Sequence, residues 1–181
     1  MAHEIIRTET LYQGRAFDTQ RVLTRMPNGR EKYFDLVSHK RAITLVPVDH
    51  DGLMYFVSQF RFGAGQALLE LPAGVVEDGE DPAECAAREL REEIGMAARS
   101  LLPLGQVFLA PGYSTELMFL YLATDLYPAP LRQDEDEFLS LEKYSVDEAF
   151  QMAESGKIQD AKTLAALFLA RSHLQRPSGP F

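Results

Sequence analysis

This sequence is short of the residues from which cross-links and metal cages are usually built. It has a single cysteine, Cys85, so no disulfide can form within the chain. Its four histidines, His3, His39, His50 and His173, are scattered, which argues against a zinc cluster. No apolar run is long enough to span a bilayer, and the opening residues do not read as a secretory signal. A soluble, cytoplasmic protein with no membrane partner is the expectation. Positive charge is also scarce, with 18 Lys and Arg against 27 Asp and Glu and a formal net charge of −9. That balance excludes a nucleic-acid binder relying on basic patches. It would also repel a phosphorylated small molecule unless cations offset the field.

What is present fits one globular domain. The 181 residues suffice for a full core but are short for two domains, and no linker, repeat or low-complexity stretch divides them. Residues Glu4–Gln13, Phe17–Met26 and Glu31–Ser38 alternate or carry β-branched side chains, with a Pro27-Asn28-Gly29 turn between the last two, so they read as strands. So small a sheet buries little by itself and is expected to pack on the core or on a second subunit. Ala42–Val48 is a nearly unbroken apolar run, as in a strand covered on both faces. Leu53–Phe60, Ala67–Leu71, Arg99–Leu109, Glu116–Ala123 and Phe138–Tyr144 read as further strands. Val146–Glu154 and Asp160–Leu174 read as helices, the second with Ala161, Leu164, Leu167, Phe168 and Leu174 near one apolar face. Strands surrounding one central helix and two late ones, without regular βαβ alternation, make the class α+β.

The central helix carries the chemistry. Asp81 suits its cap, Pro82 its first turn, and Gly95 its end. Cys85, Ala86, Leu90 and Ile94 form a small apolar stripe facing the core. Glu89, Glu92 and Glu93 share another face, where three like charges repel unless something positive sits among them. Arg88 and Arg91 supply part of that charge through pairs such as Arg88–Glu92 and Arg88–Glu84. Two readings follow: a solvated helix laced with ion pairs, or a divalent-cation site, since hard carboxylate oxygens suit Mg²⁺ or Mn²⁺.

The whole stretch Gly74–Met96 decides between them. Gly74, five residues, Glu80, seven residues, Arg88-Glu89-Leu90, one residue, Glu92-Glu93, one residue, Gly95-Met96 resembles the signature of the Nudix hydrolases at every fixed position. The resemblance runs from about Ala42 to Leu174 and more weakly into the N-terminal strands. It implies the Nudix fold, an α/β/α sandwich over a mixed sheet, plus an N-terminal antiparallel strand region. It also implies residues 1–40 as a strand region for dimerisation with possible strand exchange, 41–175 as the Nudix hydrolase domain, and 176–181 as a loose tail. Glu70-Leu71-Pro72-Ala73-Gly74, Pro111 with its following loop, and Gly156–Thr163 are similar to the ADP-ribose pyrophosphatase and nucleoside-diphosphate-sugar hydrolase branch.

The same resemblance assigns roles. Glu89 and Glu93 are expected as the main side-chain metal ligands, the Ala73 carbonyl as a backbone ligand, and Glu92 as a further ligand. Arg88 would orient this carboxylate set, Gly74 would let the backbone approach metal and phosphate, and Glu80 would tie loop to helix. Arg61 matches a phosphate-contacting arginine. Glu116 would meet the terminal sugar or a metal. The general base in relatives lies on an acidic loop, which points to Glu135 and Glu137; a solvated charge run is the equal alternative. Where relatives often carry arginine and glutamate near the end of the third strand, this chain has Tyr33-Phe34-Asp35, so Phe34 would stack on a base instead. Lys40 and Arg41 would add positive charge for phosphate. Similar enzymes are homodimers.

The leading expectation is therefore Mg²⁺- or Mn²⁺-dependent hydrolysis of ADP-ribose to AMP and ribose 5-phosphate. A GDP-mannose or broad sugar-nucleotide hydrolase is the alternative within the class. A non-catalytic regulatory module is the reading from another class. Such regulators carry an appended DNA-binding domain or a damaged motif, and neither is found here.

Overall fold

The computed structural model describes residues 3–132 and 138–174. The chain divides into two compact units, Met1–Arg41 with Phe108–Leu117, and Ala42–Val107 with Met118–Phe181.

The first unit is a three-stranded antiparallel sheet of β1 (Glu4–Gln13), β2 (Phe17–Arg25) and β3 (Glu31–His39), in that order. The β2–β3 turn uses Gly29 at φ +83°, a conformation that glycine adopts without steric cost. Two irregularities in the β1–β2 register fall at Ile6 and Leu11. The loop through Tyr113 docks on β3: Val37 N–H donates to Tyr113 O at 2.7 Å, and Thr115 N–H donates to Val37 O at 3.0 Å. Phe34 is partly exposed with the Lys32 ammonium over its ring at 5.0 Å, and Glu116 N–H donates to Ser114 Oγ at 3.2 Å.

The second unit holds the main core. A mixed sheet runs β7–β4–β9–β8, from β4 (Ala42–Pro47), β7 (Ala73–Val75), β8 (Met96–Phe108) and β9 (Leu117–Pro128); β4 and β9 are parallel, β4 and β7 antiparallel. An antiparallel sheet pairs β5 (Leu53–Arg61) with β6 (Gln66–Glu70) and β10 (Ser140–Ser145). Alternate residues of the central strands enter two separate cores. Ile43, Leu45, Tyr55, Val57, Tyr121 and Ala123 pack with Cys85, Ala86, Leu90 and Ile94 of α1 (Pro82–Glu93) and its end. Val46, Met54, Phe56, Leu120 and Leu122 pack with α2 (Val146–Glu154) and α3 (Ala161–Leu174). Strands with a core on each face have no polar side to show, which is why all of β4 is buried. This is the α/β/α sandwich.

β7 is not among the strands expected from the sequence, because three residues are too few to carry a pattern. One expectation changes. On α3 the inward residues are Lys162, Thr163, Ala166, Leu167 and Ala170, whereas Phe168 is 76% exposed and Ala161 is exposed too. The helix is rotated by a polar anchor at its first turn, described below. Among the described residues no helix is long and apolar enough to cross a membrane.

Candidate active site

The site is built on α1 and the strand that precedes it. Asp81 caps the helix by accepting the Ala83 N–H at 2.8 Å, Pro82 opens it, and Gly95 leaves it at φ +71°. The far end is held by the chain after β9: Arg91 Nε donates to Ala129 O at 2.9 Å, and the Leu131 and Ala129 N–H groups donate to Arg91 O and Gly95 O. Both ends of the helix are therefore fixed, with otherwise orphaned backbone groups satisfied.

One guanidinium gathers the carboxylates. Arg88 donates to Glu80 at 3.0 and 3.1 Å, to Glu89 at 2.7 Å and to Glu92 at 2.9 Å. The Glu80 hydrogen bonds first, then the Glu89 and Glu92 contacts, raise the Arg88 pKa above its ordinary value against the opposing effect of burial. Arg88 in turn holds the Glu80 carboxyl below the usual carboxylate range. Glu80 also accepts the Glu77 N–H at 2.9 Å, so it ties loop to helix as expected from its place in the motif. The expected Arg88–Glu84 pair is replaced by Arg88–Glu80 and Arg88–Glu89. Three carboxylates thus share one guanidinium, which leaves the cluster net negative.

Glu89 and Glu93 are both buried, at 8% and 7% exposure. Glu93 accepts the Ala73 N–H at 3.0 Å, joining α1 to β7. Glu89 lies so close to Gly74 that a Cβ there would fall 1.9 Å from its Oε1. The glycine is the space the carboxylate occupies. No three His, Cys, Asp or Glu side chains among the described residues converge as a ready-made cage. A cage is not what a hard divalent cation requires, because Mg²⁺ takes one or two carboxylates and leaves its other positions to water and phosphate. Two buried carboxylates packed against the Ala73–Gly74 backbone fit such an ion.

A second polar cluster adjoins the first. Glu70, 1% exposed, accepts both Arg61 Nε at 2.8 Å and Arg61 Nη2 at 2.7 Å, and pairs with the buried Lys162 ammonium. Burial pushes the Glu70 carboxyl up, and the Arg61 and Lys162 contacts more than offset it, so the net pKa lies below the ordinary value. Arg61, expected only as a phosphate contact, is thus also a structural partner, with its side chain still 43% exposed. Glu70 is not among the residues expected in the site from the sequence; its signal there is a carboxylate inside the apolar run Ala67–Leu71. Phe34, Arg41 and Glu116 belong to the first unit, and Glu135 and Glu137 lie outside the described residues.

The NUDIX domain family profile matches residues 38–167. The chain belongs to the Nudix family. Over 169 residues it is 31% identical to the ADP-ribose pyrophosphatase of Bacillus subtilis (strain 168), covering 92% of this chain and 91% of that one. It is 36% identical over 167 residues to the ADP-ribose pyrophosphatase of Mycobacterium tuberculosis, covering 91% and 81%. Among solved structures, an ADP compounds hydrolase superposes with a TM-score of 0.86 at 28% identity, covering 96% of this chain and 95% of that chain.

Proposed function

We propose that the chain is a divalent-metal-dependent Nudix pyrophosphohydrolase that cleaves ADP-ribose into AMP and ribose 5-phosphate. The observation that carries this reading is the gathering of Glu80, Glu89 and Glu92 round Arg88, with Glu89 seated against Gly74 and Glu93 tied to Ala73. The names of its relatives supply the substrate class. Ala73 through its carbonyl, with Glu89, Glu93 and Glu92, would hold Mg²⁺ or Mn²⁺. Such an ion, when bound, offsets the charge of the pyrophosphate and lowers the pKa of water near it.

The chain's own residues do the rest. Arg88 keeps the carboxylates apart and aimed, and Gly74, having no Cβ, leaves Glu89 its place against the backbone. Arg61, its guanidinium plane fixed by Glu70, binds phosphate through its exposed part. Glu135 or Glu137 takes the proton from water, and Glu135→Gln is expected to lower kcat far more than it changes KM. Glu116 for the terminal sugar or a metal rests on the family resemblance, whereas Phe34 for the base and Arg41 for phosphate stand where this chain departs from it and rest on side-chain chemistry. A cytoplasmic homodimer is part of the proposal.

The test is release of AMP from ADP-ribose with Mg²⁺ or Mn²⁺, run beside GDP-mannose, NADH, diadenosine polyphosphates and 8-oxo-dGTP. GMP release from GDP-mannose as the fastest reaction would move the substrate to the alternative reading. No product from any of them with either metal would leave a binding module.

A further inference from the structure

We propose that Thr163, braced by Asp160, is a positioning residue for the Leu71–Ala73 backbone, and so for the cation that Ala73 and Glu93 would hold. The inference rests on the hydrolase reading above and deepens it. Thr163 sits in the first turn of α3 and is fully buried. Its Oγ1 accepts the Leu71 N–H at 2.8 Å and donates to Asp160 Oδ2 at 2.6 Å. A hydroxyl has one proton and two lone pairs, so donation to Asp160 turns a lone pair toward Leu71. Asp160 Oδ2 also accepts the Thr163 N–H and the Lys162 ammonium, each at 2.9 Å, and the same ammonium meets Glu70. The anchor is therefore a closed polar network rather than one bond.

The segment it grips has two further tethers. Pro72 O accepts from Leu45 N–H at 2.9 Å and from Thr44 Oγ1 at 3.0 Å, both on β4. Ala73 N–H donates to Glu93 on α1 at 3.0 Å. Three consecutive residues are thus fixed by α3, β4 and α1 in turn, and the last is the one whose carbonyl would face the cation. Without the Thr163 hydroxyl, the Leu71 N–H is buried with no acceptor, and the backbone must shift to find one. Groups that orient metal ligands typically change metal affinity ten- to a hundredfold when removed.

The measurement is Mn²⁺ affinity of the full chain by electron paramagnetic resonance, alongside thermal melting and steady-state kinetics on ADP-ribose. Thr163→Val keeps the shape and removes the hydroxyl. It is expected to weaken Mn²⁺ binding about tenfold and to lower kcat with little change in KM, while Thr163→Ser restores most of the affinity. Unchanged Mn²⁺ affinity in Thr163→Val, with only a lower melting temperature, overturns the proposal and leaves the hydrolase reading standing. A wild-type chain that neither binds Mn²⁺ nor releases AMP overturns both. If Thr163→Val does not fold, Asp160→Asn takes its place: weakened Mn²⁺ binding in the folded variant supports the proposal, and unchanged binding overturns it.

Discussion

Gly74 and Glu89 share a space that only a residue without a Cβ leaves open. In Gly74→Ala the new methyl would sit 1.9 Å from Glu89 Oε1 and 2.4 Å from its Cγ, so the carboxylate must swing away. The displaced group is a flexible side chain rather than backbone, so the fold should survive. We expect the variant to melt near the wild type yet bind Mn²⁺ at least about tenfold more weakly, because the proposed ligand Glu89 has lost its seat. Equal affinity would remove Glu89 from the ligand set. Cys85 gives a second residue-scale outcome. It is fully buried, and burial, aided by Glu89 and Glu80 and opposed by Arg88, pushes its thiol up to about 12. At pH 8 the reactive thiolate is therefore nearly absent. Iodoacetamide should label the native protein slowly and the urea-unfolded protein quickly; fast native labelling would place Cys85 at the surface.

At the scale of elements, α3 shows where pattern reading stops. The ends of α1 were legible because Asp81, Pro82 and Gly95 are local signals, and β4 was legible because a run apolar on both faces has one common explanation. On α3 the apolar pattern picks out Leu167, which is buried, and Leu164 and Leu174, which pack on the core, but also Phe168 and Ala161, which are exposed, since the first inward turn is set by Lys162 and Thr163. Their partners, Glu70 and Leu71, are some ninety residues distant in sequence, beyond any local periodicity. This anchor should contribute to acid behaviour. Glu70 has a lower pKa folded than unfolded, so the unfolded chain binds its proton more readily. Its contribution to stability is complete above the unfolded value of about 4.3 and is lost as the pH falls through the lower folded value. Glu70→Gln leaves the Lys162 and Arg61 charges short of a partner and should cost on the order of 3 kcal/mol at neutral pH. Urea titrations would check this. The variant's stability should also fall less steeply below pH 4 than the wild type's, and parallel curves would discount the ion network.

For the whole molecule, the open question is what the first unit's sheet is for. All ten residues of β1 are exposed, and Ile5, Leu11, Tyr12, Tyr33 and Phe34 stand among the large apolar side chains in contact with solvent. A long edge strand with exposed apolar side chains is a template for aggregation unless something pairs with it or covers it. The register irregularities at Ile6 and Leu11 twist that strand locally, and Glu4, Arg7 and Glu9 add charge to it, yet Ile5, Leu11 and Tyr12 stay exposed. A second copy of the chain is the occupant the family resemblance supplies, and the sheet's composition suits it, since homodimer interfaces are richer in apolar and aromatic groups than ordinary surface. Sedimentation equilibrium should then return twice the 20.3 kDa chain mass at micromolar concentration. Ile5→Glu combined with Leu11→Glu places charges on β1 without touching the carboxylates around Arg88. That variant should sediment as a monomer while keeping the Mn²⁺ affinity of the wild type. A wild-type monomer would leave the exposed sheet without its partner and end the dimer proposal, and a double variant that still dimerises would move the interface off β1.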